Sequence, residues 1–262
     1  MRNFQKRIIA VIPARMGASR FPGKPLAKIL GLPMIEHVRR RVGLCDVLDD
    51  VYVATCNPEI MDAVCGYGGR AIMTADTHER CTDRVEEAAQ GLAADIIVIV
   101  QGDEPLFIPE TINALVAPML GDEEDEEVVC TNLLSRIEHE EDLADVNIVK
   151  AVLDRNHYVM YYSRAAIPHL RVRSNCPMYR QTGLSAFTKS FLHEFSRLVP
   201  TPMEAVESID FLRILEHRRS ILGVIYEQRT VGVDQPEHIH AIEAILNSDE
   251  TQRKLYQRIL HS

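Results

Sequence analysis

No apolar run in this 262-residue chain approaches the ~20 residues that a membrane-spanning helix needs, so no transmembrane segment is expected. Nor does an apolar leader open the chain, because Arg2, Lys6 and Arg7 precede a short strand-like run; a cytoplasmic protein is the expectation. The six cysteines (Cys45, Cys56, Cys65, Cys81, Cys130 and Cys176) form no C-x-x-C pair and keep no regular spacing to histidine. They read as small buried residues of a chain kept in a reducing compartment. Positive charge is in deficit: 29 Lys and Arg stand against 38 Asp and Glu, a net −9. That balance argues against a nucleic-acid partner. Part of the acidic excess is the run 122–127, expected to be a solvated surface turn. Neither an internal repeat nor a low-complexity linker divides the chain.

What is present is concentrated near the start. Ile8-Ile9-Ala10-Val11-Ile12 is a continuous apolar run and reads as a fully buried strand. It empties into a loop that carries Arg15, Arg20 and Lys24 together with Gly17, Gly23 and two small residues, Ala18 and Ser19. Such a loop can turn backbone N–H groups and three fixed charges toward a polyphosphate. Open α/β sheets bind ligands beyond the carboxyl ends of their strands, which is where this loop lies. It is not a kinase-type P-loop, because Ala18 stands where the first glycine belongs and Pro25 where the magnesium-binding hydroxyl belongs. A dinucleotide fingerprint is also missing, since no G-x-G-x-x-G follows the strand.

Alternation of strand-like and helix-period segments through the first half predicts βαβ units. The expected fold class is α/β, with a mainly parallel, mixed sheet in a Rossmann-like nucleotide-binding arrangement. Strands are predicted at 51–54, 71–73 and 95–100, and helices at 34–42, 58–67, 83–92 and 109–120. The helix at 34–42 is expected to turn Arg39, Arg40 and Arg41 outward. Beyond residue 128 the texture changes, with strands predicted at 128–130, 146–153, 158–162, 184–187 and 221–226. The section 128–190 is read as a smaller mixed or antiparallel insertion within one domain, serving acceptor binding or dimerisation. Residues 201–215 are predicted helical, and a closing helix is expected from Pro236 toward Ile259.

Asp103, in Gln101-Gly102-Asp103-Glu104-Pro105, follows a buried strand and should project at the same sheet edge as the basic loop. Alone it would read as a turn residue. Beside three cations it reads as a magnesium ligand, because Mg²⁺ bridges phosphate to one or two carboxylates. Asp234 precedes the closing helix, and by spacing it reads as an N-cap.

Four segments in order, I-P-A-R-x-G-A-S-R-x-P-G-K-P-L, V-Q-G-D-E-P, Y-Y-S-R-A-A-I-P and V-G-V-D-Q-P, resemble the CMP-Kdo synthetases, the 3-deoxy-manno-octulosonate cytidylyltransferases. The resemblance runs from Ile8 to about Ile245. It implies a nucleotide-diphospho-sugar-transferase-like fold, CTP and a small acidic acceptor as partners, Mg²⁺ as cofactor, and a homodimer. By residue it assigns Arg15, Arg20 and Lys24 to the triphosphate, with Arg15, Lys24 and Asp103 as the catalytic set. Ala14, Arg84 and Gln101 would lie near the cytidine. Asp103 and Asp234 become metal ligands, which replaces the capping reading of Asp234. Arg164, Gln181 and Asp210 fall to the acceptor, with Lys150 and Ser163 close to it or supporting the fold.

Departures from the family pattern cluster. Arg80-Cys81 stand where the family has Ser-Gly, so a side chain replaces a glycine beside the nucleotide. Gln181 replaces a histidine, Ser185 an aromatic, and Asp210-Phe211 a Glu-Gln pair. These changes leave three alternatives open: a modified octulosonate or a phosphonate as acceptor, a nucleotide other than CTP, or a non-catalytic nucleotide-binding protein on the same scaffold.

Overall fold

The computed structural model describes residues 6–17, 20–121, 128–172, 176–227 and 232–261. Along the chain, β1 (Ile8–Ala14) leads through a 3-10 turn, Lys24–Leu26, into a two-residue hairpin of β2 (Lys28–Ile29) and β3 (Leu32–Pro33). Then come α1 (Met34–Val42), β4 (Asp50–Thr55), α2 (Pro58–Gly66), β5 (Arg70–Met73), α3 (Cys81–Gln90), β6 (Ile96–Ile99) and α4 (Glu110–Val116). The middle holds β7 (Cys130–Arg136), α5 (Glu140–Ala144), β8 (Lys150–Leu153), β9 (Val159–Ser163), β10 (Tyr179–Thr188), α6 (Lys189–Arg197), α7 (Pro202–Glu207), α8 (Phe211–Glu216) and β11 (Leu222–Ile225). The chain closes with α9 (His238–Ser248) and α10 (Glu250–Leu260). These elements fall into two units, residues 1–113 with 230–262, and residues 114–229. The predicted insertion 128–190 lies inside the second.

In the first unit β1 pairs in parallel with β6 on one side and β4 on the other, and β4 pairs in parallel with β5. Every residue of β1 and β6 is buried, as expected for strands covered on both faces. Parallel strands run out at the same edge, so the loops after β1, β4 and β6 emerge together. A second apolar cluster joins the hairpin to the closing helices: Ile29, Met34, Leu106, Val233, Ile242 and Leu246 are all buried in it. Val233 thereby anchors the segment that carries Asp234.

The second unit is mixed. β7 pairs antiparallel with β10 and parallel with β11, while β8 pairs antiparallel with both β10 and β9. The β7–β10 ladder slips between Gln181 and Ser185. There the buried Asn132 amide donates to Leu184 O at 2.8 Å and to Thr182 O at 3.4 Å, and its Oδ1 accepts from Tyr162 at 2.9 Å.

Several expectations need correction. Arg41 does not face outward: it is fully buried, donating to Phe107 O at 3.1 Å and Gln252 Oε1 at 2.7 Å. Arg39 and Arg40 both pair with the buried Glu36. The docking of α10 on α1 reverses what the charge of that face implies. The predicted helix 201–215 is two helices, because Ser208 takes φ 54° and ends α7. The closing helix starts at His238, not Pro236, and breaks at Asp249, whose side chain caps α10. Strand β7 extends through Arg136, the strand predicted over 146–153 is confined to Lys150–Leu153, and α5 and α6 were not expected. Of the cysteines, Cys65 and Cys176 are exposed rather than buried. The acidic run 122–127 lies outside the described residues.

His37, on α1, is buried, donates its Nε2–H to Ile29 O at 2.8 Å and stacks on Tyr256. Burial lowers its pKa from 6.5 to about 4, so it is neutral at physiological pH. The unfolded chain takes up a proton at this residue as pH falls below 6.5, and the folded chain does not until about 4. Stability is therefore complete above that window and declines across it, by on the order of 3 kcal/mol. Urea midpoints at neutral pH and at the acid end of the window should show this loss, and His37→Gln should flatten it.

Candidate active site

The first unit holds a cavity of about 430 Å³ at the edge where β1 and β6 end. Its loop is built locally. Gly23 takes φ 75°, a conformation that suits glycine, and its N–H returns to Met16 O at 3.0 Å, closing the loop on itself. Met16 N–H donates to Asn57 Oδ1 at 2.9 Å, tying the loop to the end of β4. Ala18 and Ser19 lie outside the described residues.

Lys24 then points into the cavity. Its Nζ donates to Asp103 Oδ2 at 2.7 Å and to Val233 O at 2.8 Å. Val233 N–H donates to Asp103 O at 2.9 Å, so the segments carrying the two acids are fastened to each other by backbone. Arg20 sits 3.5 Å from Asp234, with both side chains about half exposed; such a pair contributes little. Arg15 lines the cavity and makes no ion pair or hydrogen bond to the other described residues. Asp234 does not cap a helix, since Glu237 holds the position before α9.

Arg84 comes from α3 and is almost fully buried. Its Nη1 donates to Thr74 Oγ1 at 2.5 Å and to Ala75 O at 3.2 Å. Gln101, just past β6, and Ala14, the last residue of β1, complete this part of the wall. All eight residues assigned by resemblance to nucleotide or metal in this unit thus line one cavity. Two carboxylates with several cations nearby suit a metal–polyphosphate complex. Among the described residues no cluster of three or more His, Cys, Asp or Glu would hold an ion unaided. Two carboxylates can suffice for Mg²⁺, which completes its shell from phosphate and water.

His78 was not singled out from the sequence, yet it lines the cavity and hydrogen-bonds Glu87. Glu87 also accepts from Ala75 N–H at 3.0 Å. The hydrogen bond from His78 holds the Glu87 carboxyl below its ordinary pKa. A histidine shortly before a helix that already carried Arg84 was the available signal.

In the second unit Lys150, Ser163 and Arg164 do come together, around Glu207. Lys150 is fully buried, and its ammonium donates to Asp145 O, Ile148 O and Arg164 O at 2.6–2.8 Å. Burial lowers its pKa. Three carbonyls thus meet its three N–H groups. Ser163 Oγ donates to Glu207 Oε1 at 2.5 Å, while Arg164 donates through Nε to Glu207 O at 2.7 Å and through Nη1 to Val146 O at 3.1 Å. Gln181 is half-buried on β10, and Asp210 precedes α8. The Phe211 ring is buried edge-on against Tyr162 and Phe187.

Comparison with known proteins gives a consistent result. The family model for cytidylyltransferases matches residues 9–229. A 3-deoxy-manno-octulosonate cytidylyltransferase of Geobacter metallireducens is 38% identical over 247 residues, covering 90% of this chain and 96% of that protein. An 8-amino-3,8-dideoxy-manno-octulosonate cytidylyltransferase of Shewanella pealeana is 42% identical, covering 92% and 99%. A solved structure of CMP:2-keto-3-deoxy-manno-octonic acid synthetase complexed with CTP superposes with a TM-score of 0.87 at 33% identity, covering 93% of this chain and 99% of that one.

If the cavity is built for a polyanion, Lys24→Met should weaken pyrophosphate binding, followed by calorimetry, by about tenfold to a hundredfold, the worth of hydrogen bonds to a charged group. Circular dichroism should report an unchanged fold.

Proposed function

Because this chain belongs to the cytidylyltransferase family, we propose that it transfers the cytidylyl group of CTP to a 3-deoxy-manno-octulosonate-like sugar acid, giving the CMP-sugar and pyrophosphate. The observation that carries this reading is the convergence of Arg15, Arg20, Lys24, Asp103 and Asp234 on one cavity, in a chain whose relatives carry that activity in their names.

A hydroxyl of the acceptor attacks the α-phosphorus of CTP, and the bond to the β-phosphate oxygen breaks. The protein supplies position and charge rather than a nucleophile. Arg15 and Arg20 hold the triphosphate. Lys24 stabilises charge on the departing pyrophosphate, a contact whose removal costs on the order of 3 kcal/mol of transition-state stabilisation. Asp103 and Asp234 would hold Mg²⁺. When bound, that ion would supply positive charge to the phosphate oxygens and would lower the pKa of the incoming hydroxyl. Ala14, Arg84 and Gln101 receive the cytidine. Arg164, Gln181 and Asp210 of the second unit are assigned to the acceptor. Arg164 now donates to backbone carbonyls, so it would take up an acceptor carboxylate by exchanging those bonds.

A homodimer in the cytoplasm completes the proposal. Six cysteines, none of them in a disulfide, suit a reducing compartment, and the apolar Met160, 63% exposed on β9, suits self-association. An amino-modified octulosonate is the second reading for the acceptor. It is favoured by the Shewanella pealeana relative and by Gln181 and Ser185 in place of a histidine and an aromatic.

A turnover matrix tests both. CTP, UTP, ATP and GTP are crossed with the octulosonate, its 8-amino form and a phosphonate, with pyrophosphate as the readout. CTP with an octulosonate should dominate; strong turnover of the unmodified sugar would count against an altered acceptor. CTP binding with no product from any acceptor would mark a binding protein. Asp103→Asn should abolish pyrophosphate release from a folded protein, and undiminished turnover would remove Asp103 from the metal role.

A further inference from the structure

Cys81 opens α3 and lines the cavity together with Gln101 and Arg84. Gln101 donates its Nε2–H to Cys81 Sγ at 3.3 Å. Thr82 Oγ1 lies 3.9 Å from the same sulfur and can serve as a partner for the thiol's own hydrogen. With its NH₂ edge engaged, the Gln101 amide presents Oε1, which no donor among the described residues reaches. Arg84 offers the opposite polarity. It is 3% exposed, and its Nη2 has no hydrogen-bond partner among the described residues. A buried N–H left in this state is costly unless a ligand accepts from it.

One acceptor and one donor on the same wall discriminate between pyrimidines. Cytosine carries an amino donor at C4 and acceptors at N3 and O2. Uracil carries a carbonyl at C4 and an N–H at N3. A fixed Gln101 Oε1 attracts the amino group and repels the carbonyl, while Arg84 Nη2 meets an acceptor that cytosine has. An unrestrained glutamine would lose this selectivity, because its amide can rotate by half a turn and offer NH₂ to uracil instead.

We propose that Cys81 is a positioning residue for base selection: its sulfur holds the Gln101 amide with the carbonyl turned to the base, so that the site takes cytosine over uracil. The proposal rests on the reading that this cavity binds CTP. It concerns a side chain present where the family pattern has a glycine.

The test compares dissociation constants for CTP and UTP by calorimetry in wild type, Cys81→Ala and Cys81→Ser, each with Mg²⁺ present. Wild type should favour CTP. Cys81→Ala should lower the CTP-to-UTP preference about tenfold, the worth of one neutral hydrogen bond. Cys81→Ser, whose hydroxyl accepts the same hydrogen bond, should restore it to within about twofold. An unchanged preference in folded Cys81→Ala, or no recovery in Cys81→Ser, overturns the proposal. CTP should also slow alkylation of Cys81 by iodoacetamide, read by mass spectrometry; unslowed alkylation would place the base elsewhere and overturn it as well. Because the readout is binding, a protein that keeps the cytosine preference but releases no pyrophosphate sinks the transferase reading and leaves this one standing.

Discussion

The parallel ladder between β1 and its two neighbours is the constraint on which the site depends. Strands that run the same way end at the same edge, so three loops distant in sequence leave the sheet side by side. β1 lies between β6 and β4, and the chain therefore departs from it in both directions, opening a crevice at that point. Into this crevice the loop after β1 brings its cations, the loop after β6 brings Gln101 and Asp103, and the end of β4 supplies Asn57 to hold Met16. An antiparallel partner in place of β6 would have sent Asp103 to the far end of the sheet.

Charge and burial then divide the work. The chain is acidic as a whole, yet this edge gathers arginines and a lysine, so a polyanion meets a local field opposite in sign to the average. Lys24 is held by Asp103 and by the carbonyl of a buried valine. That valine belongs to the apolar cluster of the closing helices, so hydrophobic burial 209 residues away from Lys24 in sequence decides where its ammonium rests. The Arg20–Asp234 pair, by contrast, is solvated and free to exchange partners.

The second unit solves a different problem. Its interior is polar at the β7–β10 slip and at Lys150: Asn132 and Lys150 are met by backbone carbonyls or a side-chain partner, while the buried Ser135 Oγ has no partner among the described residues. Buried polar networks of this kind are tolerable only when satisfied. Ser163, Arg164 and Glu207 extend the same network to the surface, so residues marked out for an acceptor are also those that hold adjacent loops in register. Phe211 completes an aromatic cluster with Tyr162 and Phe187.

From the residues alone, β1, the basic loop after it and the strand leading to Asp103 were legible, because buried parallel strands are continuous apolar runs and their loops carry the punctuation of glycine and proline. Helix α1 was legible to its ends, but not the fate of Arg41, since its burial depends on α10, some 200 residues on. Asp234 shows the same limit: spacing made it a cap, and only the tertiary anchoring of Val233 put it at the cavity. The pairing of His78 with Glu87, the break at Asp249 and the contact of Cys81 with Gln101 were likewise decided in three dimensions. Local pattern determines which backbone hydrogen bonds a segment can form and which face is apolar. Which charges become buried, and which side chains meet across a cavity, follows from long-range packing that no local pattern encodes.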